Sequence, residues 1–384
     1  MKVNKLFSPN QIGFITEINE VVNIHSSEDF IKSQFESDDE ISALPVESDE
    51  GLIGIIERER LFSRHKSLLG SLVSGKIDDI ITRSDFKVDA LEGCNKALQE
   101  IVDNKKRISV ANVYHNGRFY GVVTTEKLIQ HVQKLRSNEL AKASEIQKKF
   151  TGSGSFEDDF CFIEVKIKMA HDVGGDFFHI KDLTDNLTLV SCFDVSGKDI
   201  SASLITGILN GYFSTIECFD LAKNIPPLEI VKGMNKIITE KTPEGIFIAS
   251  LFAFIDRKAK VYSVYNMGYC PLYIMLKSEG KNVVKTYSPQ YHPIGFPGVE
   301  IDDLSVIRGK IQSQSRIFGY SDGLTDALNR RGEQFGEERV KTLIKNTIKT
   351  PNEDYLKTYL DEVNEFIGDT PSTDDITIFN IFFK

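Results

Sequence analysis

The chain of 384 residues is longer than one ordinary hydrophobic core needs, and at about 150 residues per domain it predicts two or three domains. Lysine and arginine number 46 against 56 aspartates and glutamates, so the formal net charge is −10, which argues against nucleic acid and membrane surfaces as partners. Hydrophobic residues make up 41% and charged residues 27%, a balance typical of a chain that folds over most of its length.

The N-terminal segment, residues 1–10, has no apolar core of the kind that a secretory signal requires. No apolar run approaches the roughly 20 residues that span a bilayer. The five cysteines are scattered without C-x-x-C spacing, which favours reduced thiols over a disulfide framework or a zinc site. Together these features predict a cytoplasmic protein.

A strand–turn–strand–helix pattern occurs twice in the first third of the chain. Residues 41–56 form the first copy, with a turn at Gly51, and residues 108–123 form the second, with a turn at Asn116-Gly117. The spacing between the copies is too long for a solenoid repeat, so we expect two small α/β modules packed together.

This third of the chain resembles a tandem pair of cystathionine-β-synthase-type (CBS) domains. The resemblance lies in Leu44-Pro45-Val46, Gly51-x-x-Gly54 and Gly117-x-x-x-Gly121. Such pairs regulate an attached domain in many proteins. The resemblance therefore implies a regulatory module over residues 1–125 that binds an adenine nucleotide or a cyclic dinucleotide.

The ribose-binding positions depart from the CBS pattern. Nucleotide-binding members carry Thr or Ser after the second strand, followed three positions later by an Asp that holds the ribose hydroxyls. Glu57 and Arg60 stand at these places in the first copy, and Thr124 and Lys127 in the second. Because a lysine cannot accept a hydrogen bond, a dimerisation module without a ligand is the alternative.

A linker helix is predicted for residues 126–150, which contain no Gly or Pro and place hydrophobic residues at helical spacing. Glu139 and Lys142 interrupt the apolar stripe, so the helix is either a short coiled coil or a plain surface linker. The Gly/Ser-rich segment 151–155 ends the helix and begins the third region, residues 151–384.

Short strand patterns dominate residues 151–384, with two amphipathic helices predicted at 202–213 and 228–240. Consecutive strands without intervening helices are typical of antiparallel sheets. The region is therefore predicted to be an α+β layer fold and not a doubly wound one.

Four short segments of this region carry an aspartate at or near the end of a hydrophobic run. One such aspartate is usually a turn former, but four are harder to explain in that way, and the glycines in three segments allow close approach of the backbone to a small charged object. Converging carboxylates would repel one another unless a cation neutralised them, and hard oxygen ligands suit Mg²⁺ or Mn²⁺. The segments are 173–176, 193–197, 320–323 and 372–377.

Through these segments the region resembles the type 2C, metal-dependent protein phosphatases (the PPM family), and specifically their bacterial SpoIIE/RsbU branch. The resemblance covers residues 145–384 and implies a four-layer α-β-β-α sandwich. Residues 139–147 are also similar to the switch helix that joins sensor to phosphatase in this branch. The matching motifs are Val173–Phe178, Asp194–Ala202, Asn266–Pro271, Pro293–Gly295, Tyr320–Ala327, Phe335–Arg339 and Asp374–Thr377.

The resemblance implies a centre of two Mn²⁺ or Mg²⁺ ions that activates a water molecule for catalysis. Asp194 would bridge the ions, and Val195 would lend its backbone carbonyl. No covalent enzyme intermediate is needed, so Ser196, which has no paired His at recognisable spacing, is assigned no nucleophilic role. The aspartates that match the catalytic metal ligands of the family are Asp176, Asp194, Asp322 and Asp374.

Several neighbouring residues have more than one interpretation. Asp375 either belongs to the metal centre, orienting a bound water, or caps the final strand. His171 and His179 either donate a proton to the leaving serine oxygen or are structural. Tyr269 stands where the family pattern Asn-Ala-Gly-His has its His, which leaves the metal ligands unchanged but bears on packing or on the approach of phosphate.

The sequence thus predicts a metal-dependent phosphoserine/phosphothreonine protein phosphatase. By resemblance, its substrate is a phosphorylated STAS-type anti-sigma-factor antagonist in a partner-switching circuit. The N-terminal module would regulate it through the linker helix within a homodimer, since switching needs an element with two arrangements. The alternative is a catalytically silent pseudophosphatase that acts as a signal-responsive scaffold, and the presence of all four aspartates argues against it.

Overall fold

The two repeated segments of the N-terminal unit, residues 1–139 of the computed structural model, form three-stranded sheets of the same order. In each sheet a short strand pairs in parallel with the first strand of an antiparallel hairpin. The predicted strand–turn–strand pattern is confirmed in both copies. The strands are β1 (Val22–Asn23), β2 (Ala43–Ser48), β3 (Gly51–Glu57), β4 (Lys87–Asp89), β5 (Val110–His115) and β6 (Arg118–Thr124).

Hydrophobic residues of the two hairpins pack the sheets against each other. Ala43, Ile55, Val110 and Val122 are fully buried in this contact. Each sheet also has an apolar core of its own, to which neighbouring helices contribute. Among the described residues before Thr125, the α-helices of this unit are α1 (Ile12–Ile15), α2 (Glu28–Ser37), α3 (Arg58–Arg64) and α4 (Cys94–Asp103).

The structure describes residues 6–39, 41–49, 51–64, 77–83, 86–105, 108–151, 154–197, 200–219, 221–223, 225–278, 281–296, 301 and 305–384. Residues 152–153 of the predicted flexible break, and Lys198 and Asp199 of one phosphatase-like motif, lie outside these ranges. All five cysteines are free thiols. Within the described ranges, no helix is long and apolar enough to cross a bilayer.

A long helix, α5 (Thr125–Lys148), covers most of the segment 126–150 for which a linker helix is predicted. Leu128 and Val132 near its start are buried in the core of the second module. Ser144 and Gln147 are buried near its end, which belongs to the C-terminal unit, residues 140–384. Most side chains between these ends are exposed.

The C-terminal unit contains two antiparallel sheets that pack face to face. Its strands are β7 (Gly154–Glu157), β8 (Cys161–Lys168), β9 (Asp176–Thr184), β10 (Leu187–Val195), β11 (Ile248–Asp256), β12 (Val261–Met267), β13 (Leu272–Ser278), β14 (Lys281–Tyr287), β15 (Ile307–Lys310), β16 (Arg316–Tyr320) and β17 (Ile376–Phe383). One sheet has the order β15-β12-β11-β10-β9 and the other β14-β13-β16-β17-β8-β7. Both contribute to one buried apolar layer, for example through Val190 and Phe379.

Two pairs of helices cover the outer faces of the sheets. The first sheet packs against α6 (Ile200–Cys218) and α7 (Pro227–Lys241). After α8 (Gly323–Asp326), a single turn, the helices α9 (Gly336–Thr347) and α10 (Asn352–Ile367) pack on the second sheet. The layers follow the order α-β-β-α, which confirms the prediction of antiparallel sheets flanked by helices.

The prediction of only two helices in this region is wrong, because α9 and α10 are helices as well. They also carry buried residues at helical spacing, such as Val340 and Ile344 in α9. The two predicted helices are confirmed as α6 and α7, and α6 is longer than predicted at both ends. Helices α9 and α10 form the fourth layer. The four predicted aspartates lie outside these helices, at or next to the ends of strands.

Candidate metal centre

The four predicted aspartates lie at strand ends in the two facing sheets. Asp176 begins β9, and Asp194 lies opposite it near the end of β10. Asp322 follows β16, and Asp374 precedes β17, the neighbour of β16. The four carboxyl groups come together, since Asp194 interacts electrostatically with the other three.

Burial and neighbouring charge shift the ionisation of Asp176 and Asp194. Burial, followed by the charges of Asp176, Asp322 and Asp374, raises the pKa of Asp194 to about 9. Asp176 is only 2% exposed, and burial, followed by the charge of Asp375, raises its pKa well above the usual range. Carboxyl groups placed in this way cannot all ionise unless a cation offsets their charge.

Two hydroxyl groups orient the Asp176 carboxylate. Thr377 Oγ1 and Ser321 Oγ donate hydrogen bonds to Asp176 Oδ2 over 2.5 and 3.2 Å. The Ser321 hydroxyl in turn accepts a hydrogen bond from the Thr377 N–H at 2.8 Å. These contacts join the end of β16 and the start of β17 to the start of β9. Neither hydroxyl was predicted from the sequence, although Ser321 directly precedes Asp322.

The Asp375 carboxylate holds the loop that precedes Asp176. Its Oδ1 accepts a hydrogen bond from the Ala170 N–H at 2.7 Å, and its Oδ2 accepts one from the Gly175 N–H at 2.9 Å. A Cβ atom at Gly174 would lie 2.0 Å from Asp375 Oδ2, so the loop requires glycine there. Burial raises the pKa of Asp375, while the amide hydrogen bonds act in the opposite direction. These contacts favour a role at the centre, as a residue that positions the Asp176 loop, over a cap of the final strand.

A glutamine of α5 binds the same loop. Gln147 Nε2 donates to Gly174 O at 2.7 Å and to Thr206 Oγ1 at 3.1 Å, and the Gly174 N–H donates to Gln147 Oε1 at 3.1 Å. Gln147 is 4% exposed, and Gly174 is two residues from Asp176. The last turn of the linker helix is therefore in direct contact with the loop. The resemblance of residues 139–147 to a switch helix points to this segment, but it does not single out Gln147.

The other predicted polar candidates have roles outside the carboxyl group cluster. Ser196 Oγ accepts a hydrogen bond from the Phe247 N–H at 3.1 Å, as expected for a turn residue. The His179 ring stacks on Phe213 with centroids 4.3 Å apart, and burial lowers its pKa to about 4. His179 is therefore neutral at pH 7, which disfavours a role as proton donor. His171 is exposed.

Tyr269 packs between the sheets next to the centre. It is 1% exposed and belongs to the apolar layer that both sheets share. Its N–H donates to Asn266 Oδ1 at 2.9 Å, and Asn266 Nδ2 donates to Cys270 O at 3.0 Å. Asn266 thus holds the turn, and the position of Tyr269 favours a packing role over one in the approach of phosphate.

The donors at this site fit a hard divalent cation. Carboxylate and carbonyl oxygens are the ligands that Mg²⁺ and Mn²⁺ prefer in proteins. Val195 O, the predicted carbonyl ligand, lies 2.8 Å from where a Cβ at Gly175 would be, so glycine allows the two loops to approach here. Among the described residues, no three His, Cys, Asp or Glu side chains are arranged closely enough to hold a metal ion. The fit therefore rests on the chemistry and the convergence of the donors.

Two solved structures place the fold among the PP2C-type phosphatases. The chain is similar to the SiaA-PP2C domain of Pseudomonas aeruginosa, with a TM-score of 0.54 and 20% identity, covering 66% of this chain and 99% of that domain. It is also similar to the RsbU and RsbW domains of a Mycobacterium tuberculosis protein, with a TM-score of 0.50 and 15% identity, covering 61% and 62% of the two chains.

Sequence comparisons identify the family. A family model described as stage II sporulation protein E (SpoIIE) matches residues 184–384, more than half of the chain, including Asp194, Asp322 and Asp374. The chain is 26% identical to protein IcfG of Synechocystis over 270 residues, which cover 64% of this chain and 41% of IcfG. It is 19% identical to phosphoserine phosphatase RsbU of Bacillus subtilis over 284 residues, 72% of each chain. The chain therefore belongs to the SpoIIE family of PP2C-type phosphatases, and it spans less than half the length of IcfG.

Gly174→Ala is expected to disrupt the loop before Asp176, because the new methyl group would overlap Asp375 Oδ2. We expect the free energy of unfolding of the C-terminal unit to fall by about 1–3 kcal/mol, the usual cost of overpacking. Gly207→Ala in α6 is the matched control, since nothing lies within 4 Å of its Cβ position, and alanine there should stabilise by about 1 kcal/mol. Urea unfolding measures both variants. A Gly174→Ala protein as stable as wild type would contradict the role assigned to Asp375.

Proposed function

We propose that the chain is a metal-dependent phosphoserine/phosphothreonine protein phosphatase. The convergence of four buried or strand-end aspartates at one place in a PP2C-type fold carries this proposal, because burial and repulsion there favour the binding of cations. Membership of the SpoIIE family and similarity to phosphoserine phosphatase RsbU support the same activity.

Asp176, Asp194, Asp322 and Asp374 would hold two Mn²⁺ or Mg²⁺ ions, with Asp194 between them and the Val195 carbonyl as a further ligand. When bound, such ions lower the pKa of a shared water, hold the phosphoryl oxygens and stabilise charge on the attacking and leaving groups. Ser321 and Thr377 hold the Asp176 carboxylate in one orientation, and Asp375 and Gln147 hold its loop. No side chain is assigned as a nucleophile.

We propose a phosphorylated STAS-type anti-sigma-factor antagonist as the substrate. The similarity to RsbU supports this choice. The Mycobacterium tuberculosis structure adds support, because one protein there contains both RsbU and RsbW domains. Two such domains in one chain are consistent with a partner-switching circuit. A cytoplasmic location stays a prediction from the sequence.

We propose that the N-terminal unit regulates the phosphatase as a dimerisation module without a nucleotide ligand. In the first copy, Arg60 donates a hydrogen bond to the Thr82 hydroxyl at 2.8 Å. In the second copy, Lys127 pairs with the buried carboxylate of Glu17 at 2.9 Å. Ribose hydroxyls need an acceptor at these two places, and both hold cations that already bind other groups.

The charge of the cavity between the two modules supports the same proposal. Its volume is about 550 Å³. Carboxylates at its wall repel the phosphate groups of an adenine nucleotide or a cyclic dinucleotide. Among the described residues that line it, four are acidic and one is basic: Asp39, Glu57, Glu59, Glu126 and Arg58.

The proposed homodimer uses the N-terminal unit and α5. Ile129 and Ile146 of α5 are exposed to 38% and 63%, and exposed apolar side chains on a long helix favour association with a second copy. Glu139 and Lys142 interrupt the apolar stripe between them, so any coiled coil is short.

Asp194→Asn is expected to reduce Mn²⁺-dependent phosphate release from a phosphoserine protein by about 100-fold or more, because it removes the carboxylate proposed to lie between the ions. It should also abolish the rise in thermal stability that Mn²⁺ gives the wild-type protein. Asp185→Asn, at an exposed turn between β9 and β10, is the matched control and should retain both properties. Full activity of Asp194→Asn would contradict the metal assignment, and Mn²⁺ binding by a wild-type protein that releases no phosphate would favour the pseudophosphatase.

Thermal unfolding of the full chain tests the N-terminal proposal. AMP, ATP and cyclic di-AMP are expected to raise the unfolding temperature no more than inorganic phosphate does, because the two ribose-binding positions of the CBS pattern hold Arg60 and Lys127, which cannot accept a hydrogen bond. Phosphate serves as the control for binding at the metal centre. A larger rise with any of the nucleotides would show that the module binds a ligand, and would favour the CBS-type function instead.

A further inference from the structure

An exposed group of aromatic side chains lies beside the proposed metal centre. We call Phe247, His292 and Phe296 the aromatic patch. The rings of Phe247 and Phe296 meet edge to face with centroids 6.1 Å apart, and the His292 ring stacks on Phe296 at 5.2 Å. Phe247 is 39% exposed and Phe296 is 40% exposed. The patch is therefore ordered by its own ring contacts, yet much of its surface faces solvent.

Backbone hydrogen bonds hold Phe247 against the strand end that carries Asp194. The Phe247 N–H donates to Ser196 Oγ at 3.1 Å, and the Ser196 N–H donates to Phe247 O at 3.0 Å. Ser196 is two residues after Asp194, and Ile248 lies opposite Val195 in the pairing of β10 with β11. The main chain of Phe247 is thus fixed next to the metal centre, while its ring takes no part in these hydrogen bonds.

The segment before Phe296 is fixed to the start of β11, the strand that directly follows Phe247. Ile294 and Ile248 exchange two backbone hydrogen bonds of 2.9 and 3.0 Å. The Gly295 N–H donates to Asn235 Oδ1 at 2.9 Å. Gly295 has a φ of +78°, and a Cβ there would lie 2.7 Å from Ile238 Cγ2, so the turn requires glycine. The turn places Phe296 next to Phe247 at the start of β11.

Further apolar side chains are exposed at the start of α6. Ile200 is 50% exposed and Leu204, one turn later, is 66% exposed. This end of α6 lies beside the metal centre, because Ala202 Cβ is 3.3 Å from the Cβ position of Gly175. Ile200 and Leu204 therefore expose further apolar surface beside the metal centre.

We propose that the aromatic patch is a docking surface for the phosphoprotein substrate, an inference that rests on the proposed phosphatase function. A phosphoserine whose phosphate reaches Asp194 brings the surrounding surface of its protein over the exposed rings of Phe247 and Phe296. Aromatic side chains supply large contact areas with little loss of conformational freedom, and they are common at the energetic centres of interfaces. The partner is therefore a folded protein with an apolar side chain near its phosphoserine.

The test compares a protein substrate with a small one, using the full chain and Mn²⁺. The substrates are a phosphoserine-containing STAS-domain protein from the same genome and p-nitrophenyl phosphate. In the double variant Phe247→Ala/Phe296→Ala, KM for the phosphoprotein should rise about tenfold or more, and Phe296→Ala alone should give a smaller rise. Both kcat and KM for p-nitrophenyl phosphate should stay within about twofold of wild type, because this substrate is too small to cover the patch.

Phe219→Ala is the matched control. Phe219 is 72% exposed and follows the far end of α6, about 28 Å from its start at 1.5 Å per residue. Its truncation should leave both substrates unaffected.

Three results would overturn the docking surface. One is an unchanged KM for the phosphoprotein in the double variant. Another is a loss of p-nitrophenyl phosphate hydrolysis in that variant, since the rings would then support the metal centre itself. The third is a change in molecular mass by sedimentation, which would make the patch a contact with a second copy. If the wild-type protein hydrolyses neither substrate, the phosphatase function fails, and this differs from the failure of docking alone.

Discussion

Repulsion among buried carboxyl groups is the constraint on which the C-terminal unit depends. Asp176 and Asp194 lie opposite each other on β9 and β10, and burial together with neighbouring charge raises the pKa of both. Such a cluster opposes folding unless protons or cations offset its charge. The apolar layer between the sheets and the apolar layers under the two helix pairs hold the strand ends in place against this repulsion. An acidic protein thereby gains a site that, with its ions bound, attracts phosphate.

The groups around the cluster set positions and do not neutralise charge. Hydroxyls of Ser321 and Thr377 hold one carboxylate, and Asp375 holds the glycine loop that carries it. Gln147 binds the same loop from the last turn of α5. A change at this end of α5 would therefore reach Asp176 through Gly174 and Gly175, which is a physical route for the regulation proposed above.

The sheets and the four aspartates were predictable because each leaves a local pattern: alternating or continuous hydrophobic runs, with a carboxylate and often a glycine at the end. The contacts that complete the centre leave no such pattern. Thr377 and Asp176 are hydrogen-bonded but lie 201 residues apart in the sequence, and Gln147 is one polar residue among many on a helix. A sequence pattern also does not show whether an aromatic ring next to a strand is buried or exposed. The exposure of Phe247 was therefore visible only in the structure.

The most direct test of the central claim is the number of protons released when Mn²⁺ binds. With a pKa of about 9, Asp194 is protonated at pH 7 before the metal binds, and a metal ligand must lose its proton. Calorimetric titrations in buffers of different ionisation enthalpy should give about one proton or more released per chain at pH 7. Binding of Mn²⁺ without proton release would contradict the repulsion of buried carboxyl groups, and an absence of binding would contradict the metal centre.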